Sequence, residues 1–296
     1  MRLVYTENVH ALALPPGHRF PIGKYDRIHA ALEADHPDLM MLGARATRDD
    51  VLLVHDAPYV RAVEEGSLGE SSVRRLGFPW SESLVTRSMR SVGGTLAALA
   101  WAESHGAAGH IAGGTHHAFR DRGEGFCVFN DIAVAIHAAR RDHGMQRAAV
   151  VDLDVHQGNG TAAIFEGDAR VFTLSLHGQR NYPFHKERSS LDVPLPDGCD
   201  DRTYLAALAP ALEQVEGHGP EVIFFQAGVD TLAGDRLGRM AMTHAGLAAR
   251  DRMVFALARK LRVPIVVTLG GGYGRDIERT VEGHVGVYRR LVEAFA

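Results

Sequence analysis

Apolar runs rich in Val and Ile alternate along the chain with longer amphipathic stretches. Alternation of this kind is typical of strands that helices join into a mainly parallel sheet. The pattern predicts strands at 2–5, 51–54, 110–112, 148–153, 170–175, 221–226 and 264–269. It predicts helices at 24–34, 82–105, 131–142, 202–216, 243–260 and 277–295. The expected fold class is therefore α/β.

The chain shows no Ser/Gly/Pro-rich linker, low-complexity block or internal repeat. With 296 residues it is long enough to bury a sizeable core, so we expect a single catalytic domain over 1–296. In an open α/β sheet, ligands bind beyond the carboxyl ends of the strands. Several polar motifs follow such predicted strand ends, and they are the candidate site.

Composition narrows the function classes. The chain is 46% hydrophobic and 23% charged, as in globular proteins, and its net charge of −4 argues against a direct nucleic-acid partner. Its apolar runs are strand-length, well short of the roughly 20 residues that span a bilayer, and no signal-peptide core is present. The two cysteines indicate no disulfide framework. We therefore expect a cytoplasmic protein without a membrane partner.

A candidate metal site follows two of the predicted strands. In the segment DLDVH at 152–156, Asp152, Asp154 and His156 occupy alternate positions, which share one face of an extended chain. Asp230 directly follows another apolar strand. Carboxylate oxygens and an imidazole nitrogen can bind zinc, and three protein ligands with an open fourth position are the arrangement of catalytic metal sites. The alternative is that these are exposed polar, turn or capping residues at strand ends.

Two further motifs supply candidate catalytic groups. His116 and His117 follow a glycine pair, which suggests backbone held close to a ligand, and imidazole suits a general base near neutral pH. The run GGGYG at 270–274 lacks the Lys-Ser/Thr of a nucleotide-binding loop. A flexible backbone there would instead let the Tyr273 hydroxyl stabilise an oxyanion on a substrate carbonyl.

Taken together and in this order, the four motifs resemble the histone deacetylase family of the arginase/deacetylase fold, from about Pro16 to the last helix. The stretches LGFPWS at 76–81, GTHHAFRDRG at 114–123 and GDRLG at 234–238 look most like the class IV branch. The resemblance implies a three-layer α/β/α arrangement around a mainly parallel sheet. No nuclear localisation run and no tail beyond the catalytic domain are visible, which is typical of a prokaryotic-type member.

The resemblance also implies residue roles. It identifies Asp154, His156 and Asp230 as zinc ligands. The matched catalytic positions are His117 as general base and acid, His116 as its electrostatic partner, Asp152 as the carboxylate that orients His116, and Tyr273 as the residue that polarises the carbonyl. Where some members carry an Asp to orient the second histidine, this chain has Asn159, as class II and IV members do.

Further positions follow from the same resemblance. A structural potassium ion is implied at Asp152, Asp154, His156, Ser175 and Leu176, through backbone or side-chain oxygens. An acyl-lysine tunnel is implied at Gly125, Phe126, Leu237, Gly271 and Gly272. The implied activity is removal of an acetyl or longer acyl group from a lysine side chain of a protein or peptide.

Several alternatives remain open at this point. An acetylpolyamine deacetylase would use the same chemistry, but the position of its acidic gatekeeper is Leu237 here. A two-manganese ureohydrolase needs additional metal ligands that we do not find. A non-catalytic acyl-lysine binding module would be expected to lack one of the chemical groups. Fe²⁺ could replace Zn²⁺ in this ligand set, and the sequence does not indicate the oligomeric state.

Overall fold

The structure is a computed structural model that describes residues 1–7 and 12–296. Within these residues, eight strands form one sheet in which every neighbouring pair is parallel, in the order β2-β1-β3-β8-β7-β4-β5-β6. The strands are β1 (Arg2–Tyr5), β2 (Met40–Leu42), β3 (Ala107–His110), β4 (Ala148–Asp152), β5 (Val171–Gly178), β6 (Leu191–Leu195), β7 (Val222–Gln226) and β8 (Ile265–Thr268).

Ten α-helices are found in the same residues, together with a 3₁₀ turn at Pro37–Leu39. They are α1 (Lys24–Asp35), α2 (Arg48–Val51), α3 (Ala57–Glu65), α4 (Glu70–Leu76), α5 (Glu82–His105), α6 (Asp131–His143), α7 (Asn159–Phe165), α8 (Asp201–His218), α9 (His244–Leu261) and α10 (Ile277–Phe295). None of the helices in this part of the chain combines the length and apolar character needed to cross a membrane.

The long helices begin and end where the sequence carries capping signals. Ser81 accepts a hydrogen bond from the Leu84 amide at the start of α5, and Asn130 does the same for Ala133 in α6. Gly106 ends α5 with a φ of 86°, a left-handed conformation that glycine adopts without steric cost. These local signals explain why the predicted bounds of the six long helices agree with the structure to within about two residues.

Helices cover both faces of the sheet. Adjacent residues of a strand point to opposite faces, and on β3 a Cβ at Gly109 would lie 2.7 Å from Tyr288 of α10, whereas the His110 ring lies against Gly94 of α5. The helices α1, α10, α9 and α8 contact one another in series, as do α5, α6 and α7. The sheet is thus enclosed between two helical layers, and all five residues of β4 and of β7 are buried.

The predicted strand at 51–54 is wrong. Thr47 caps a short helix there, and its hydroxyl and the Asp50 carboxylate form a reciprocal capping box. Val51 and Val54 are both buried, but from a helical turn, because spacing of three residues also suits one face of a helix. The strand predicted at 110–112 ends at His110. The pattern missed the two edge strands β2 and β6, in which only Leu195 is buried.

Candidate metal and catalytic site

The predicted motifs meet at one edge of the sheet. The strands β3, β8, β7 and β4 are consecutive neighbours and parallel, so their carboxyl ends lie side by side. The tandem histidines follow β3, the glycine run follows β8, Asp230 follows β7, and the 152–156 segment follows β4. Residues that are more than a hundred positions apart in the chain therefore converge because of the strand order.

Asp154, His156 and Asp230 form a buried cluster. One ligand atom of each lies within 4.8 Å of the others. His156 Nδ1 is 2.9 Å from Asp154 Oδ1 and 3.1 Å from Asp230 Oδ2. The strand ends at Asp152 and the chain bends after it. The convergence therefore depends on this bend and on the neighbouring strand, and only partly on the alternation in the sequence.

The cluster fits a bound cation. Asp230 Oδ2 is buried and accepts no hydrogen bond, although His156 is near, which leaves an oxygen lone pair free for a ligand. Burial, reinforced by the charge of Asp154, raises the pKa of Asp230 to about 7. Burial alone would lower the pKa of His156, but the adjacent carboxylates of Asp154 and Asp230 raise it to about 10. The protein groups alone thus require positive charge between the carboxylates, and a divalent metal ion would supply it.

Two glycines allow the carboxylates to approach the backbone this closely. A Cβ at Gly271 would lie 2.0 Å from Asp230 Oδ2 and 2.7 Å from Asp154 Oδ2, and one at Gly228 would lie 2.4 Å from Asp154 Oδ2. The Gly271 amide donates a 2.6 Å hydrogen bond to Asp154. We expected the glycine run to give flexibility, but the structure gives it a packing role: there is no room for a side chain beside the cluster.

The two histidines have different partners. His116 Nδ1 lies 2.7 Å from Asp152 Oδ2, and His117 Nδ1 lies 2.6 Å from Asn159 Oδ1. Burial opposes protonation of His116, but Asp152 and Asp154 outweigh it and raise its pKa. Burial, together with the charges of His116 and His156, lowers the pKa of His117 well below its usual value. Because the Asn159 oxygen only accepts, His117 carries its proton on Nδ1, which leaves Nε2 as a proton acceptor.

Asp131 holds the histidine loop in place and was not singled out from the sequence. Its carboxylate accepts hydrogen bonds from the amides of Gly114 and Thr115, at 3.0 and 2.8 Å, and from the Thr115 hydroxyl. A Cβ at Gly113 would lie 2.4 Å from this carboxylate. The glycine pair therefore brings the backbone close to a protein side chain, whereas the sequence suggested a ligand.

Lys24 is a second residue that the sequence did not reveal as part of the site. Its ammonium group is buried and donates to the carbonyl oxygens of Gly270 and Gly272, at 3.4 and 3.3 Å. It also lies 5.5 Å from the centre of the Tyr273 ring. Burial lowers its pKa to about 8, despite the nearby carboxylates. Lys24 thus fastens the glycine run, and its position at the start of α1 gave no local signal of this role.

A cavity of about 460 Å³ opens above the cluster. His117, His156 and Tyr273 line its floor, while Phe126 and Tyr182 form walls. The Tyr182 ring centre is 4.9 Å from that of His117, and its hydroxyl donates to Glu124. Tyr182 was not predicted from the sequence. Burial raises the pKa of Tyr273 well above its usual value, so its hydroxyl stays protonated as a donor.

The predicted tunnel residues divide into two groups. Gly125, Phe126 and Leu237 line this cavity as expected. Gly271 lines only a smaller inner cavity of about 40 Å³. Gly272 does not line either cavity; it packs against α10, where a Cβ on Gly272 would lie 2.7 Å from His284 Nε2.

The positions predicted for potassium are close together. Asp152 and Ser175 are register partners on β4 and β5, and Ser175 and Leu176 are both buried. The Ser175 hydroxyl lies 3.0 Å from His177 Nδ1. The potassium ion itself stays a prediction.

Comparisons with known proteins agree over most of the chain. A family model described as "Histone deacetylase domain" matches residues 18–287. An uncharacterized protein of Picosynechococcus sp. is 42% identical over 286 residues, which cover 95% of each chain. Histone deacetylase 2 of Arabidopsis thaliana is 31% identical, covering 89% of this chain and 72% of its own. The acetoin utilization protein AcuC of Bacillus subtilis is 31% identical, covering 80% and 66%.

Solved structures show the same fold. A crystal structure of an HDAC homolog complexed with SAHA superposes with a TM-score of 0.85 at 26% identity, covering 99% of this chain and 84% of that one. A crystal structure of an HDAC homolog from Aquifex aeolicus gives the same values. The HDA15 HD domain, at 22% identity and a TM-score of 0.83, supports the fold alone.

Proposed function

Because this chain belongs to the histone deacetylase family, a family of deacetylase hydrolases, we propose that it is a zinc-dependent amidohydrolase that removes an acetyl or longer acyl group from a lysine side chain. The observation that carries the proposal is the buried cluster of Asp154, His156 and Asp230 beneath a cavity whose floor also holds His117 and Tyr273. A metal site, a base and a hydrogen-bond donor thus face one another across a space open to substrate.

In this proposal Asp154, His156 and Asp230 hold the ion. When bound, zinc would supply Lewis acidity toward the acyl carbonyl and toward water. His117 Nε2 takes a proton from the attacking water, and Tyr273 donates a hydrogen bond to the carbonyl oxygen as negative charge develops on it.

His117 then passes that proton to the nitrogen of the breaking amide bond, so that the amine leaves neutral and the acyl group leaves as a carboxylic acid. The amide of Asn159 keeps His117 in the tautomer that the first step needs. Asp152 orients His116 and raises its pKa, and the ring centre of His116 lies 4.0 Å from that of His117.

The shape and charge of the cavity favour acyl-lysine over an acetylpolyamine. Phe126 and Tyr182 offer apolar walls for an alkyl chain, and Leu237 offers nothing to a second ammonium group. Arginines at the mouth would repel a distant cation. The class IV assignment, the prokaryotic-type assignment, the potassium ion, zinc in preference to iron, and a cytoplasmic location stand as predictions beside this proposal.

A panel of acyl-lysine peptides of graded chain length tests the proposal, with the released lysine measured with and without a chelator. Tyr273→Phe and His117→Ala should each lower turnover by at least about 10²-fold while zinc content is unchanged. Tyr5→Phe and His105→Ala, which change residues outside the cavity, serve as matched controls.

Two results would count against the proposal. Wild-type turnover in both catalytic variants would remove the assigned roles. Tight binding of acyl-lysine peptides without chelator-sensitive release of any acyl group would favour a non-catalytic binding module, which is the second candidate function.

A further inference from the structure

The mouth of the cavity is strongly basic. Five arginines line it, and among the residues that the structure describes no Asp or Glu lines the same cavity. All five are exposed. This concentration of positive charge occurs in a chain whose net charge is −4, so it is a local feature of the mouth. These five residues, here called the arginine rim, are Arg19, Arg75, Arg180, Arg236 and Arg239.

Few carboxylates balance the arginine rim. Arg180 and Arg239 share Asp197, at 3.9 and 3.3 Å. Arg236 donates to the backbone oxygens of Tyr273 and Arg19. Within the described ranges, Arg19, Arg75 and Arg236 have no Asp or Glu within 4.0 Å.

Glu124 and Asp235, which adjoin residues of the rim, are already engaged. Glu124 pairs with Arg122 at 2.8 Å and accepts the Tyr182 hydroxyl. Asp235 accepts hydrogen bonds from the backbone amides of residues 237, 238 and 273. The rim therefore presents guanidinium groups to solvent with one shared carboxylate among them, and its fork-shaped donors match carboxylate geometry.

The arginines come from separate segments around the opening. Arg19 and Arg236 are in contact through a backbone oxygen, Arg180 and Arg239 are linked through Asp197, and Arg75 adjoins the Gly125 amide at the end of α4. A small substrate with one anionic group would meet one of these three sets. A chain that passes over the mouth would meet several.

The other exposed groups at the mouth also favour a peptide. Phe184 is 83% exposed beside the rim, and Tyr182 lines the same opening. Arginine and aromatic side chains are the types enriched where proteins contact proteins. On this basis we propose that the preferred substrate is an acidic peptide segment, with Asp or Glu on both sides of the acyl-lysine. This inference rests on the proposed deacylase function, and it disfavours lysine-rich segments.

The test uses three peptides of equal length with the same central acetyl-lysine, flanked by Asp and Glu, by Gln, or by Lys. We expect kcat/KM to fall in that order, and the differences to shrink as salt is added, because exposed charges are screened. Arg75→Gln and Arg180→Gln should each lower kcat/KM for the acidic peptide by about two- to fivefold. Each should lower it less for the Gln-flanked peptide.

Arg252→Gln is the matched control, since Arg252 is exposed on α9 and does not line the cavity. It should leave the order and size of the preferences unchanged. Equal kcat/KM for all three peptides, or a preference of undiminished size in the double variant of Arg75 and Arg180, would overturn the inference. A higher kcat/KM for a small acetylated amine carrying one phosphate than for every peptide would also overturn it.

Binding separates this inference from the proposed function. Fluorescence anisotropy of the labelled peptides, titrated with the His117→Ala protein, measures their Kd at the arginine rim in the absence of turnover. If no peptide is hydrolysed by the wild type, the deacylase proposal fails, and a tighter Kd for the acidic peptide still supports the rim. If peptides are hydrolysed but all three bind with equal Kd, the inference about the rim fails while the deacylase proposal stands.

Discussion

Replacement of Gly271 by Ala should weaken metal binding through a single methyl group. The added Cβ would lie 2.0 Å from Asp230 Oδ2 and 2.7 Å from Asp154 Oδ2, whereas real Cβ contacts are not found below 3.0 Å. Gly271 does not have a positive φ, so Ala fits the backbone and the effect comes from the clash alone.

Neither carboxylate can turn away freely. Asp230 is fully buried, and its other oxygen accepts the Val155 amide at 2.9 Å. Asp154 accepts the amides of His156 and Gly271 on its two oxygens. To reach a contact of 3.0 Å, Asp230 Oδ2 must move by about 1 Å, and metal–ligand distances tolerate about 0.2 Å. We expect zinc affinity to fall by at least about 10- to 100-fold, or about 1.4–2.7 kcal/mol.

Zinc affinity is measured by competition with a chromophoric chelator, alongside metal content, turnover and thermal unfolding. Gly217→Ala is the matched control, because it lies in α8 with no atom within 4 Å of the added methyl. That variant should keep its zinc and gain up to about 1 kcal/mol of stability. In Gly271→Ala, the difference in Tm between zinc-loaded and zinc-free protein should shrink. Wild-type zinc affinity in a folded Gly271→Ala protein would refute this reasoning.

Three further predictions concern stability. Removal of the metal with a chelator should abolish turnover and lower Tm, and added zinc should restore both. The lost stabilisation is equivalent to about 2.7 kcal/mol when the zinc concentration was one hundred times Kd. An unchanged Tm would argue against a bound ion at the cluster. Burial lowers the pKa of His55 to about 4, below its value of about 6.5 in the unfolded chain. The contribution of neutral His55 to the free energy of unfolding is therefore complete above pH 6.5. It is lost as the pH falls toward 4, by up to about 3 kcal/mol. Denaturant unfolding of wild type and His55→Gln across that range should give curves that converge at low pH, and parallel curves would contradict the assignment. Gly93→Ala should destabilise the protein by about 1–3 kcal/mol although Ala favours helices, because its Cβ would lie 1.9 Å from the backbone oxygen of Ala44. A higher Tm than wild type would contradict this, because it would mean that the segment at Ala44 moves away at little cost.

Much of the fold follows from local signals in the sequence. The six long helices were predicted because amphipathic periodicity and capping residues are properties of a few consecutive positions. The same holds for the central strands, whose apolar runs reflect burial on both faces. The strand predicted at 51–54 was wrong because a short apolar run fits a helical turn equally well, and a capping box at Thr47 decides between the two.

The candidate metal ligands were also predictable. Each follows a strand, and parallel strands place their carboxyl ends at one edge. The adjacency of β4 and β7 and the bend after Asp152 then bring Asp154, His156 and Asp230 together. The geometry agrees with the pairings of His116 with Asp152 and of His117 with Asn159 that the family resemblance implied. Their chemical roles stay proposals until the variants are measured.

Other features depend on contacts between distant segments. Lys24 reaches the glycine run across 246 positions, and Asp131 holds the histidine loop from the start of another helix. The periodicity of a single helix or strand does not reveal such a contact, because its two partners lie in different elements. The arginine rim is gathered from segments between 19 and 239, and each arginine by itself resembles an ordinary solvated residue. The sequence by itself therefore determined the six long helices and the central strands and predicted the ligand set, because these signals are local, whereas the tertiary structure decided what supports the site and what charge surrounds its mouth.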